Sequence, residues 1–147
     1  MRQFEKRVET LILCFLQDCG LRPWKAETIG KYNVKQKRFH ALQGPFRATG
    51  CPDILCVLPD GRLLAIEVKS KTGKSSPAQL EFARRINESN GIAFVAKSIR
   101  EVFDSLKPHW IDIENHSHLV RKYQAHEPNQ DLKPIKKSSQ LRHDEAL

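Results

Sequence analysis

A chain of 147 residues, 39% of them hydrophobic, is long enough for one domain with a modest core. No apolar run approaches the roughly eighteen residues a membrane-spanning helix requires, and the opening MRQFEKRVET lacks the apolar core of a secretory signal, so a soluble intracellular chain is expected (bacterial or phage-infected cytoplasm, or a nucleus). The formal net charge is +8, yet residues 108–147 hold six Lys/Arg against six Asp/Glu, so the whole excess lies on residues 1–107. Such a body either attracts phosphate backbones or is simply basic and inert.

In FEKRVETLILCFLQDCG the residues Phe4, Val8, Leu11, Ile12, Phe15 and Leu16 recur every three or four positions. That period predicts a helix with one buried stripe, stopped by Gly20. WKAETIGKYNV is read as one or two short strands. KQKRFHALQGPFRATG, residues 35–50, has Gly, Pro and four Lys/Arg with no period and is read as a mobile basic loop. PDILCVL and LLAIEVK flank PDGR, whose Pro and Gly favour a turn, and predict a β-hairpin. Both runs are apolar almost throughout, as in strands covered on both faces.

Ser76, Pro77 and Gln79 have the spacing of a capping box, with Pro in the first helical position. The helix PAQLEFARRINESN is expected to end at Gly91. IAFVA is a short buried strand, and SIREVFDSL repeats the capping logic at Ser98 and Glu101. The expected fold class is α/β, a central mixed sheet flanked by helices in the order αβββαβ, with a domain over residues 1–107. Residues 108–147 are expected to be a polar extension, partly extended or disordered, to which HWIDI adds one strand or edge contact. The four cysteines read as structural thiols rather than a zinc site, and the histidines after His109 have no ligand-like spacing.

Along a strand Glu67 and Lys69 share a face, and the hairpin can bring Asp53 beside Glu67. Two carboxylates at one sheet end repel each other unless a positive charge stands between them. Asp53, Glu67 and the Val68 carbonyl suit Mg²⁺, with Lys69 placed to hold or activate a water. The chemistry implied is hydrolysis of a phosphodiester. The plain alternative is a salt bridge from Glu67 to Lys69 or Lys71, with Asp53 capping a turn.

The joint order of Gly50, Pro52-Asp53, Glu67-x-Lys69, the SxxQ helix start and the GIAFVA strand resembles the PD-(D/E)XK nuclease superfamily. Within it the chain is similar to the VRR-NUC family, relatives of the archaeal Holliday junction resolvases, over roughly residues 4–106. The resemblance implies a restriction-endonuclease-like core, Asp53 and Glu67 as metal ligands, Lys69 as catalytic lysine and Gln79 as a residue steadying the site. It also implies a glutamate on the first helix, for which counting back from Gly20 along the buried stripe selects Glu5, with Glu9, one turn later, as its rival. Mg²⁺, replaceable by Mn²⁺, is the implied cofactor. A homodimer cutting branched DNA such as four-way junctions, in recombination or repair, is the implied activity. Lys71 and Lys74 are placed for DNA contact; Lys35, Lys37, Arg38 and Arg47 either grip phosphates or are solvated loop charges. Two other functions stay open: an inactive nuclease-fold module that binds DNA or protein, and a sequence-specific restriction-type enzyme, for which a body of this size leaves little room.

Overall fold

The computed structural model describes residues 3–26, 31–40 and 44–129, with Lys31 and Phe39 described by backbone alone. Helix α1 (Gln3–Asp18) leads through Gly20, at φ 89°, to β1 (Trp24–Lys25). A two-stranded hairpin follows, β2 (Lys31–Asn33) and β3 (Arg38–His40), then β4 (Ile54–Val57), β5 (Leu63–Val68), α2 (Pro77–Glu88), β6 (Ile92–Ala96) and α3 (Ile99–Leu106). A 3-10 helix (Ile111–His116) and α4 (Ser117–Gln124) complete the described elements.

The main sheet has strand order β1-β4-β5-β6, with β1 and β6 at its edges. β4 runs antiparallel to both β1 and β5, while β5 and β6 are parallel. The mixed sheet and the αβββαβ order are those expected from the sequence. On β5 the side chains of Leu64, Ile66 and Val68 join a core with Val8, Ile12, Phe15 and Leu16 of α1 and with Ile99, Val102 and Leu106 of α3. That face is dry, which is why β5 is buried along nearly its whole length. Ala65 and Glu67 point to the opposite face, where α2 lies over β5 and β6 and Gln79 reaches Glu67.

Three sequence expectations change. Residues 35–50 are not all loop: Arg38–His40 pair with Lys31–Asn33, and Lys37, at φ 49°, turns the chain between them. Helix α2 ends at Glu88 with Ser89 as its C-cap, and Asn90 rather than Gly91 takes the left-handed conformation, at φ 64°. Gly91 instead permits a close approach, since a Cβ there would lie 2.5 Å from Ile86 Cγ2.

The third change concerns residues after 107. HWIDI supplies no strand; Ile113, Leu119, Val120 and Tyr123 sit in the same core as α1 and α3. Tyr123 hydrogen-bonds the Asp18 carboxylate and meets Phe15 edge-on. The helical stripe was hidden by polar neighbours, because only one face of α4 is apolar. The core of the described chain therefore runs through Tyr123. Residues 130–147, the remainder of the expected extension, lie outside the described residues.

Candidate active site

Register decides whether the two strand carboxylates can meet. Ile54 stands opposite Ile66, so Asp53, one residue before, falls opposite Glu67 on the same face. Asp53 Oδ2 accepts a 2.7 Å hydrogen bond from Val68 N–H, which draws its carboxyl across the strand pair. Glu67 Oε1 accepts from Gln79 Nε2 at 2.7 Å and lies 3.3 Å from Lys69 Nζ. Its other oxygen, Oε2, is buried without a hydrogen-bond partner.

The electrostatics follow from this crowding. Burial, reinforced by the Asp53 charge, pushes the Glu67 carboxyl up to about 7, with Lys69 pulling the other way. Burial also raises Asp53; the Val68 N–H opposes it and the charge of Glu9 adds to it. The two carboxyls are within reach of a shared proton. Both charges extend to Cys51, whose thiol is raised chiefly by burial.

Gln79 holds its position through the N-terminus of α2. Ser76 accepts from Gln79 N–H, and Gln79 Oε1 accepts from Ser76 N–H, closing the capping box. The same amide then spends its NH₂ on Glu67. Gly50 lets this helix end come close: it has φ 81°, and a Cβ there would stand 2.4 Å from the Ala78 carbonyl oxygen.

The two glutamates of α1 take separate places. Glu5 Oε1 accepts from Ser70 N–H at 3.1 Å, just past the end of β5. Glu9 is buried, forms a 2.9 Å ion pair with Lys25 of β1, and is the one whose charge reaches Asp53. The Lys25 partnership was missed in the sequence because β1 is two residues long and carries no period. Ser70 Oγ, like Glu67 Oε2, is buried and unpartnered. Lys71 and Lys74, in the loop between β5 and α2, are exposed, as are Arg47 and the hairpin residues Lys35, Lys37 and Arg38. Arg84 and Arg85 are tied into surface ion pairs with Glu81 and Glu88.

Among the described residues no three His, Cys, Asp or Glu side chains converge as a ready metal cluster. What the site offers is two neighbouring carboxyls, one with an unsatisfied oxygen, and this donor set suits a hard cation completed by backbone oxygen and water. All four cysteines are free thiols, two buried and two half-buried.

With this geometry in place, the comparisons become informative. Residues 31–99 match the profile of the VRR-NUC domain. Over that span the chain is similar to a VRR-NUC domain. A solved structure described as a VRR-NUC domain aligns with a TM-score of 0.50 at 24% identity, covering 74% of this chain and 99% of that one, and supports the shared fold. A search of curated proteins returns no match. A VRR-NUC domain implies a nuclease-type, DNA-processing function. Asp53, Glu67, Lys69 and Gln79 all fall inside the matched span; Glu5 and Glu9 precede it. No described helix is long and apolar enough to cross a membrane.

Proposed function

We propose that the chain is a Mg²⁺-dependent endonuclease that hydrolyses phosphodiester bonds of branched DNA, with Mn²⁺ able to substitute. The observation that carries this reading is Glu67, held by Gln79 and Lys69 through one oxygen while its second oxygen is buried beside Asp53 with no donor except a proton shared between the two carboxyls. A buried unsatisfied carboxylate oxygen is costly, and a cation removes the cost. Asp53, Glu67 and the Val68 carbonyl would hold the ion, joined from the first helix by Glu5, which accepts from Ser70 N–H, or by Glu9, whose charge acts on Asp53. Bound there, the ion supplies Lewis-acid stabilisation of the charge that builds on the phosphate oxygens.

The protein's own part is positioning. Lys69 Nζ, largely shielded, donates toward the attacking water and a phosphate oxygen and so fixes their approach. Gln79 keeps Glu67 from swinging away. Water adds to phosphorus, one P–O ester bond breaks, and the departing alkoxide takes up a proton. Lys71 and Lys74 flank the strand end and contact the phosphate backbone. Action on a four-way junction calls for two active sites and hence a homodimer. Apolar side chains exposed on the outer sheet face, Trp24 and Val57, are available for pairing.

The test incubates the protein with a labelled four-way junction, a flap and a linear duplex, in Mg²⁺, Mn²⁺ or EDTA. Symmetric nicks in the junction, lost in EDTA and in Lys69→Ala, support the proposal. Tight binding without cutting in any metal overturns it in favour of a binding module.

A further inference from the structure

The β2–β3 hairpin stands outside the four-stranded sheet, and its surface differs from that of the body. From Lys31 to Pro52 the sequence has five Lys/Arg and no Asp or Glu. Lys35, Lys37 and Arg38 are exposed at its tip. Among these cations stand side chains that water does not favour: Tyr32 is 51% exposed, Val34 77%, and Phe46, on the return toward β4, 96%. Single exposed apolar residues are ordinary on any surface. A group of them inside an acid-free basic segment has the composition of a surface that binds both phosphates and base faces.

The tip is ordered by its own bonds. Asn33 Oδ1 accepts from Gln36 N–H at 3.0 Å, the Asx-type closure of a turn, and Gln36 Oε1 accepts from Arg38 Nε. Tyr32, Asn33, Val34, Lys35 and His40 line a shallow, open groove. Described residues before and after the hairpin lie beside Asp53 and the start of α2. Ala26 N–H donates to the Asp53 carbonyl ahead of the hairpin, and Gly50 packs on Ala78 behind it.

We propose that this hairpin is the branch-reading element of the protein: Lys35, Lys37 and Arg38 neutralise phosphates while Tyr32, with Val34 beside it, stacks on a base freed from pairing at a branch point. A continuous duplex offers phosphates but hides its base faces. A branch offers both, so stacking adds affinity only there. The proposal rests on the DNA-processing reading and specifies how that reading selects its substrate.

Binding is measured in EDTA, without cutting, by fluorescence anisotropy on a flap or four-way junction and on a linear duplex of the same sequence. Tyr32→Ala weakens branched-DNA binding about ten-fold and duplex binding less than about two-fold, and Tyr32→Phe restores the discrimination. Val34→Ser, at an exposed position, shifts branched binding in the same direction and keeps the test decisive should Tyr32→Ala misfold. Exchanging Lys35, Lys37 and Arg38 for Ala weakens both substrates and flattens the salt dependence. Equal losses on branched and linear DNA from Tyr32→Ala and Val34→Ser, or no loss on either, overturn the proposal, as does retention of binding only toward an acidic peptide. Discrimination without cutting by the wild type sinks the nuclease reading and leaves the hairpin's role standing; cutting without any hairpin effect does the reverse.

Discussion

At Glu67 a proton must leave before the carboxyl can serve as an anionic ligand, because burial and Asp53 hold it to about 7 against an ordinary 4.5. An acid whose folded value is raised stabilises the fold fully below the unfolded value and loses that contribution as pH rises through the folded one. The metal-free protein is therefore expected to melt at progressively lower temperature between about pH 5 and pH 7, and Glu67→Gln to remove most of that slope. At the proposed Mg²⁺ site the trend is expected to invert, with affinity rising with pH and levelling off above about 7, measurable by calorimetry at several pH values. A wild-type melting profile identical to that of Glu67→Gln at every pH would contradict this account. Gly50 offers a second test at this scale. Gly50→Ala combines a left-handed φ with a Cβ 2.4 Å from the Ala78 carbonyl oxygen, so a loss on the order of 1–3 kcal/mol in stability is expected, together with loss of cutting.

Helix α2 joins local capping to the site. Ser76 and Ser98 both cap helices through the backbone N–H three residues on, but only the first cap continues through Gln79 to Glu67. Ser76→Ala and Ser98→Ala are each expected to cost about 1 kcal/mol. Only Ser76→Ala should also slow cleavage, seen as a fall in single-turnover rate at saturating DNA. Equal rates for the two variants would mean that the capping box does not position the carboxylate. Both N-caps were legible in sequence, because a cap and its partner stand three residues apart, though only Ser76 closes the reciprocal box and Glu101 takes the Lys97 N–H instead. The link to Glu67 was not, since it spans twelve residues and depends on how α2 lies on the sheet.

Across the whole molecule, α4 completes the core that α1 and α3 begin. Ile113, Leu119, Val120 and Tyr123 bury side chains worth roughly 1.5–3 kcal/mol each, a sum similar to the stability of a small domain. A chain ending at residue 108 is expected to be unfolded by circular dichroism, whereas one ending at residue 129 melts cooperatively. The expectation of a polar extension failed here for a physical reason: in a short helix with one apolar face, charged neighbours dominate the average composition, and the stripe has meaning only beside the helices it covers.

Chain order, the two capped helices, the apolar strands and the charged triplet Asp53, Glu67 and Lys69 were all fixed by local chemistry, because propensity, period and turn residues act over a few positions. Tertiary structure alone decided that Asp53 faces Glu67, that Glu5 goes to Ser70 while Glu9 goes to Lys25, and that a basic stretch folds back as a hairpin. Those outcomes depend on register and on the seating of one element against another. Both are set by packing between residues far apart in the chain, which no short window of sequence contains.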